Sequence, residues 1–347
     1  MKTEHILIIR FSAIGDVAML APVVSSLAKQ YPHIRITVLS QPFSKPFFEG
    51  LASNVGFMAA DIKKEYHGIH GLNKLFKRLV AKHFTAVADM HGVLRTHYLR
   101  MLFNAAKYKT AHIDKHRKGK QQLAAQENKV FIQQPTSFEN YADVLTALGY
   151  PVKLDFTSLF NENYPAVDIF PTIGEKKADV KWIGIAPFAA HEGKIYPIQK
   201  MEKVIKMLEQ QYPSCRIFLF GGNKEKEQFD SWCHIYKKCT RVANVLTGLK
   251  EELSLIHQLD VMISMDSANM HLASLVNTPV VSIWGATHPY AGFMGWNQSI
   301  DNAVQIDLPC RPCSIYGKKP CFRNDFACMN LIAPETIVEK VNHIINN

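Results

Sequence analysis

The stretch Val261–Gly285, VMISMDSANMHLASLVNTPVVSIWG, decides the fold. Its pattern predicts a strand over Val261–Met265, a polar turn, a helix over about Ala268–Val276 and a second strand. Both predicted strands are almost wholly apolar, which is typical of a parallel sheet covered by helices on both faces. In such sheets ligands bind at the carboxyl ends of the strands, where a helix N-terminus favours an anion. Polar residues occupy that position here: Asp266, Ser267, Asn269 and His271. By itself the stretch fits an ordinary βαβ unit with a capping residue equally well.

Length and composition bound the possibilities. A chain of 347 residues with 47% hydrophobic and 20% charged residues predicts a globular protein of about two domains. No apolar run approaches the roughly 18 residues of a membrane span, and the N-terminus lacks a signal-peptide pattern, so we expect a cytoplasmic protein. The net charge of +10 predicts an anionic partner: a nucleotide, a phosphorylated sugar, nucleic acid or an anionic membrane surface.

The chain contains two series of alternating predicted strands and helices. The first strand, His5–Arg10, runs into the turn FSAIGD and a helix, but the single Gly15 falls short of the three glycines of a dinucleotide fingerprint. A second series of strands and helices starts at Trp182, after a weakly patterned linker over Val152–Ala178. We therefore predict an α/β protein with two Rossmann-like domains facing a central cleft, the first over residues 1–170 and the second over residues 178–330.

Four of the seven cysteines form the pattern C-x2-C-x7-C-x6-C at Cys310, Cys313, Cys321 and Cys328. In a reducing compartment such a cluster favours a metal over disulfides, but the second pair lacks the tight spacing of a zinc knuckle. Zinc and a thiol-rich structural loop both remain open.

Three side chains in predicted turns suggest chemistry. Asp16 lies where a strand becomes a helix and is a candidate general base, although it would also serve as a helix cap. Lys194 follows a strand in a loop with Gly193 and Pro197, where an ammonium would neutralise a phosphate unless it is merely solvated. Glu225 is placed to accept bonds from ribose hydroxyls, or simply to favour the N-terminus of its own helix.

In this order and spacing, three motifs resemble glycosyltransferase family 9, the heptosyltransferases of the lipopolysaccharide inner core. They are ILIIRFSAIGDVAMLAPVVSSL, the lysine loop HEGKIYP, and SMDSANMHLASLVNTPVVSIWGATHP, which is similar to the family's D-[ST]-G-x-x-H signature. The resemblance covers essentially the whole chain. It departs at Ala268, where the family usually has Gly, and a methyl group there narrows the approach to the backbone amide.

The resemblance implies a GT-B fold and an inverting, metal-independent transfer of heptose or a related sugar from a nucleotide sugar, typically ADP-heptose, with no other cofactor. By motif position Asp16 matches the catalytic base and Lys194 the residue that steadies the diphosphate. The donor-binding matches are Glu225, Asp266, Ser267, Ala268 and His271. The final helix, within residues 334–347, is expected to join the first domain.

An anionic glycolipid acceptor, such as a lipopolysaccharide core, would suit the first domain and bring the protein to the cytoplasmic face of the inner membrane. The residues assigned to it are Ser12, Arg95, Lys107, Lys109 and Arg117. Nucleic-acid binding is not expected, because no zinc-finger, RNP or helix-turn-helix pattern occurs. A transferase for a different nucleotide sugar, a dinucleotide oxidoreductase and a non-catalytic binder of anionic glycans remain as alternatives.

Overall fold

The computed structural model describes residues 4–162 and 164–346, which divide into two compact units. The first unit comprises Met1–Lys115 and Pro135–Pro165, and the second comprises His116–Gln134 and Ala166–Asn347. None of the helices in the described ranges combines the length and apolarity that a membrane span needs.

Strands and helices alternate through most of the chain. In chain order the elements are β1 (His5–Ile9), α1 (Ile14–Ala18), α2 (Leu20–Gln30), β2 (Arg35–Ser40), β3 (Val55–Ala59), α3 (Gly68–Val80), β4 (Ala86–Asp89), α4 (Leu94–Ala105), β5 (Lys109–His112), α5 (Arg117–Leu123), α6 (Ser137–Ala147), α7 (Phe170–Ile173), β6 (Trp182–Ala186), α8 (Ile198–Gln211), β7 (Arg216–Leu219), α9 (Lys226–Ile235), β8 (Cys239–Arg241), α10 (Leu249–Gln258), β9 (Val261–Met265), α11 (Ala268–Leu275), β10 (Val280–Ile283), β11 (Ala303–Val304), α12 (Ala327–Asn330) and α13 (Pro334–Asn346).

The first unit is built on a parallel sheet in the order β3-β2-β1-β4-β5. Every residue of β1 is buried, because helices cover both faces of the sheet. On one face, Leu7 and Ile9 pack in a core cluster with Leu72, Leu75 and Leu79, which recur along α3 at helical spacing. This packing fixes β1 and β4 side by side, so that their carboxyl ends meet.

The second unit has a parallel sheet in the order β11-β10-β9-β6-β7-β8. The strand, helix and strand expected within Val261–Gly285 are present as β9, α11 and β10, and β9 pairs with both β10 and β6. The predicted α/β class with two Rossmann-like parallel sheets is therefore confirmed.

The structure corrects two features of the expected domain organisation. The final helix α13 does not join the first unit, because Ile337, Val338 and Val341 are buried in the core cluster of the second unit. Residues 116–134, assigned from sequence to the first domain, also cluster with the second unit, and Lys129 Nζ there donates to the carbonyl oxygens of Arg311 and Pro312.

Candidate functional site

Polar side chains gather where β1 and β4 end in the first unit. Asp16 lies in the first turn of α1, which follows β1, and Asp89 is the last residue of β4. The register pairs Ile9 with Asp89, so both strands end at the same edge of the sheet. Ligands of parallel α/β sheets bind at this edge, which makes it the candidate site of the first unit.

Asp16 is held by a buried arginine. Arg10 Nη2 lies 2.9 Å from Asp16 Oδ2, and the backbone N–H of Ala13 donates to the same oxygen over 3.1 Å. The side chain of Arg10 is 7% exposed and that of Asp16 is 35% exposed, so the cation is sequestered while the carboxylate remains accessible. The Tyr141 hydroxyl donates to the carbonyl oxygen of Asp16 over 3.1 Å and fixes the backbone of the turn.

Arg10 keeps its charge although it is buried. Burial by itself lowers the pKa of Arg10, but Tyr141 and Asp16 outweigh that effect and raise the pKa above its ordinary value. The guanidinium also lies over the ring of Tyr141, 5.5 Å from the centroid, and donates through Nη1 to the carbonyl oxygen of Met90. A permanent cation beside Asp16 therefore holds that carboxylate in place.

A histidine and a second carboxylate complete this edge. Asp89 is fully buried, its Oδ1 accepts from the backbone N–H groups of His91 and Gly92, and its Oδ2 lies 3.7 Å from Arg100 Nη1. His91 Nε2 lies 3.4 Å from Ser12 Oγ. Burial, with the positive charge of Arg10, lowers the pKa of His91 to about 3, so this imidazole is neutral at pH 7.

The structure brings together only part of the predicted acceptor set. Ser12 and Arg95 lie at the same edge as Asp16, and Arg95 is close enough to contribute to the low pKa of His91. Lys109 begins β5 and pairs with Ala86 at the start of β4. It therefore lies about 10 Å along the strands from the carboxyl end, where Asp89 pairs with His112.

Of the two remaining acceptor candidates, Lys107 also lies away from this edge, and Arg117 is not part of the first unit. Lys109 Nζ donates to the carbonyl oxygen of Leu148, and Lys107 is exposed before the start of β5, at the opposite edge of the sheet from Asp16. Arg117 is the first residue of α5 and belongs to the second unit. Of the five residues assigned to the acceptor, the geometry therefore groups Ser12 and Arg95 with Asp16.

In the second unit, Lys194 and Asp266 form a buried ion pair. Lys194 follows β6 and Asp266 directly follows β9, and these two strands are neighbours in the sheet. Lys194 Nζ lies 2.8 Å from Asp266 Oδ2, with the side chains 17% and 4% exposed. The pair therefore lies at the carboxyl edge of the second sheet.

The N-terminus of α11 is adjacent to this pair. Ser267 is the N-cap residue, but its hydroxyl lies 3.3 Å from Ser264 Oγ and does not cap the helix. The first N–H groups of a helix have no partner within the helix, so those starting at Ala268 are available to an anion. His271 is buried in the first turn of the same helix. The structure thus groups Lys194, Asp266, Ser267, Ala268 and His271.

The lysine loop is held in place by close backbone approaches. The carbonyl oxygen of Gly193 accepts from the N–H of Ala286 over 2.8 Å, which joins the loop to the turn after β10. Gly317 has φ +75°, and a Cβ there would lie 2.5 Å from Lys194 Cγ. Only glycine combines this backbone conformation with this contact, so Gly317 positions the Lys194 side chain.

Glu225 lies one strand further along the same edge, after β7. Its Oε2 accepts from the N–H of Gly222 over 2.8 Å, which is the helix-capping role that the sequence had left open. The carboxylate also lines a cavity of about 500 Å³ with Phe188, Lys224, Glu227, Gln228 and Ser231.

The cysteine-rich segment braces the turn after β10. Buried Arg311, within that segment, donates to the carbonyl oxygens of Trp284, Gly285 and Thr287. In the part of the chain that the structure describes, no group of three or more His, Cys, Asp or Glu side chains is arranged to hold a metal. Burial raises the pKa of Cys328 to about 11, so this thiol is protonated at neutral pH.

Sequence reasoning missed Arg10 as part of the site. The available signal was a cation that ends the apolar run HILIIR immediately before the turn containing Asp16. A charged residue at the end of a buried strand is itself buried, and a buried charge needs a residue of opposite charge nearby. Asp89 ends β4 and His91 follows it closely, but their contacts with Arg100 and Ser12 depend on tertiary packing.

Comparison with known proteins gives consistent matches. Residues 72–320 match the family described as Glycosyltransferase family 9 (heptosyltransferase). The chain is similar to lipopolysaccharide heptosyltransferase 1 of Campylobacter coli, with 25% identity over 361 residues and 99% of each chain covered.

Solved structures show the same fold over almost the full length. A family 9 glycosyltransferase from Veillonella parvula DSM 2008 has a TM-score of 0.73 at 17% identity and covers 100% of this chain and 99% of its own. The E. coli heptosyltransferase WaaC, solved with ADP, has a TM-score of 0.65 at 14% identity and covers 98% of this chain and 99% of its own. These matches confirm the expected GT-B fold class.

Proposed function

The chain belongs to glycosyltransferase family 9, and we propose that it transfers heptose or a related sugar from an ADP-sugar to a lipopolysaccharide core or similar glycolipid. The observation that carries the proposal is the pair of Lys194 and Asp266, joined over 2.8 Å beside the N-terminus of α11. A fixed cation next to a helix N-terminus supplies positive charge where the departing diphosphate accumulates negative charge.

The second unit binds the donor in this proposal. Lys194 contacts the diphosphate, while Asp266 holds the ammonium group in position and the N–H groups from Ala268 onward bind phosphate oxygens. Glu225, fixed by its bond to Gly222, accepts hydrogen bonds from the ribose hydroxyls. The relative solved with ADP supports adenosine diphosphate as the leaving group.

Asp16 in the first unit is the general base. Arg10 and the N–H of Ala13 orient its carboxylate, and its partial exposure gives a hydroxyl group access. The carboxylate accepts the proton of the acceptor hydroxyl while the new bond to the anomeric carbon forms, because the hydroxyl becomes acidic as it attacks. Attack from the face opposite the diphosphate inverts the anomeric configuration.

The acceptor is an anionic glycolipid in this proposal, and the protein works at the cytoplasmic surface of the inner membrane. The net charge of +10 and the placement of Ser12 and Arg95 beside Asp16 support it, as does the similarity to a lipopolysaccharide heptosyltransferase. Neutral His91 contacts Ser12 and keeps this part of the site free of a further cation.

The test is release of ADP from ADP-heptose with a truncated core acceptor. Asp16→Asn should lower kcat about 10²- to 10⁴-fold, as expected when a general base is removed. Asp143→Asn, an exposed residue on α6, is the matched control and should retain wild-type turnover. Full activity in Asp16→Asn would overturn the assignment of the base.

Two further measurements address the stereochemistry and the metal requirement. NMR of the product should show an anomeric configuration opposite to that of the donor, and retention would refute the single displacement. Turnover should be unchanged by EDTA, since Lys194 and the α11 N-terminus provide the charge that a divalent cation would otherwise supply.

The donor is tested with a panel of nucleotide sugars. A higher kcat/KM for a donor other than an ADP-sugar would replace the proposed donor with that one. Binding of a nucleotide sugar without release of its nucleotide in the presence of any acceptor would favour a non-catalytic glycan-binding role.

A further inference from the structure

Two strongly exposed aliphatic side chains begin neighbouring helices of the first unit. Leu94, the first residue of α4, is 91% exposed, and Ile69, the second residue of α3, is 63% exposed. Single exposed apolar residues are ordinary on protein surfaces, but a neighbouring pair at a functional edge requires an explanation.

The contacts between α3 and α4 place the starts of these two helices next to each other. The Tyr98 hydroxyl donates to Asn73 Oδ1 over 2.9 Å, a pairing of residues 25 positions apart in the sequence. Ile69 and Leu94 have the same separation, one helical turn nearer to the start of each helix. Phe76 and Phe103 pack further along with ring centroids 5.0 Å apart, so the two helices run in the same direction.

Both helices start at the edge of the sheet that carries Asp16. α3 follows β3 and α4 follows β4, and in a parallel sheet all carboxyl ends lie at one edge. We call Ile69 and Leu94 together the apolar tip.

Basic residues flank the apolar tip. Lys63 and Lys64 are exposed in the connection between β3 and α3, and Arg95 follows Leu94 directly. The acidic groups in that connection are already engaged. Asp61 Oδ1 accepts from the N–H groups of Lys63 and Lys64, and Glu65 Oε1 lies 3.2 Å from Lys74 Nζ.

We propose that Ile69 and Leu94 insert among the lipids of an anionic membrane, while Lys63, Lys64 and Arg95 contact the headgroups. Exposed aliphatic side chains surrounded by basic ones fit an anionic membrane. The aliphatic groups reach the acyl chains, and the basic groups stay in the layer of negatively charged headgroups above them. The inference rests on the proposed function, because a glycolipid acceptor resides in the bilayer. The further content of the inference is the place of contact: the membrane binds at the sheet edge that carries Asp16. Binding there brings the headgroup of the glycolipid acceptor close to Asp16.

The experiment measures sedimentation of the full-length protein with vesicles of phosphatidylethanolamine and phosphatidylglycerol. The double variant Ile69→Ser/Leu94→Ser should bind these vesicles at least about tenfold more weakly than wild type at every salt concentration. Ile235→Ser removes an aliphatic side chain of similar exposure, 55%, at the end of α9, and should leave binding unchanged. Lys63→Gln/Lys64→Gln should instead flatten the salt dependence of binding.

A second reporter places the tip in the membrane. Leu94→Trp should be quenched by brominated lipids in the vesicles, whereas Ile235→Trp should not. Turnover of a deacylated, soluble acceptor by Ile69→Ser/Leu94→Ser should stay within about twofold of wild type, which separates loss of docking from loss of folding. Vesicle binding needs no turnover, so it tests the tip even if the proposed reaction fails.

Two results would overturn the inference. One is unchanged vesicle binding of Ile69→Ser/Leu94→Ser. The other is equal binding of wild type to pure phosphatidylcholine vesicles, since the basic flank would then have no role. If the double variant becomes monomeric where the wild type is a dimer, and vesicle binding does not change, the tip is an interface between copies of this chain.

Discussion

The ion pair between Lys194 and Asp266 gives the sharpest quantitative prediction. Asp266 is more deeply buried than Lys194, at 4% against 17% side-chain exposure. Removing one partner of a buried pair leaves the other charge uncompensated, which costs about 3–5 kcal/mol when that charge stays buried. Lys194→Met should therefore destabilise the second unit by about 3 kcal/mol, the lower end of that range, because the α11 N-terminus partly stabilises the remaining carboxylate.

Substitution of the other partner, Asp266, should cost less folding stability. In Asp266→Asn the lysine keeps a path to solvent, so we expect a loss of about 1–2 kcal/mol. The double variant should be more stable than the sum of the two single losses implies, with a coupling of at least about 1.5 kcal/mol. Lys203→Met, an exposed lysine on α8, is the control and should stay within about 0.5 kcal/mol of wild type.

Tryptophan fluorescence during urea unfolding is the assay. All four tryptophans, Trp182, Trp232, Trp284 and Trp296, lie in the second unit, so the signal reports on that unit. If Lys194→Met costs less than Asp266→Asn, or the two losses simply add, the burial argument is wrong.

Three further outcomes follow from the same geometry. Gly317→Ala should weaken ADP binding about tenfold in calorimetry, because a Cβ at φ +75° displaces the Lys194 side chain; unchanged affinity would contradict the positioning role. His91 is neutral when folded and takes up a proton only on unfolding as the pH falls below 6.5, so this one residue should account for about 2 kcal/mol of the stability lost between pH 7 and pH 5. Circular dichroism during urea unfolding measures that loss, and His91→Gln should reduce the pH slope by about one proton. Arg10→Met removes the cation that holds the Asp16 carboxylate over 2.9 Å and should lower kcat at least about tenfold, while unchanged turnover would show that Arg10 does not position the base.

The sequence was informative where structure is local. The strand, turn and helix around Asp266 are encoded in one continuous stretch, and the same holds for the turn containing Asp16 and the loop containing Lys194. Because parallel strands present their carboxyl ends at one edge, placing each residue after a strand was enough to group Lys194 with Asp266.

The sequence was misleading where residues of the same chemical type lie at different places in the fold. Lys109 and Arg95 both looked like cations for the acceptor, but the start of β5 lies at the far edge of the sheet and the start of α4 at the near edge. The final helix predicted from the sequence is present as α13, yet the apolar face of a helix does not specify which core it covers.

By itself the sequence determined the fold class, the family and the turns that carry Asp16, Lys194 and Asp266, since these depend on residue periodicity and on motifs within single segments. Only the tertiary structure decided that Arg10 pairs with Asp16, that Tyr141, 125 residues later, fixes that turn, and that Tyr98 pairs with Asn73 between α4 and α3. Such contacts join residues far apart in the chain, and their partners are selected by how helices and strands pack, which no local pattern records.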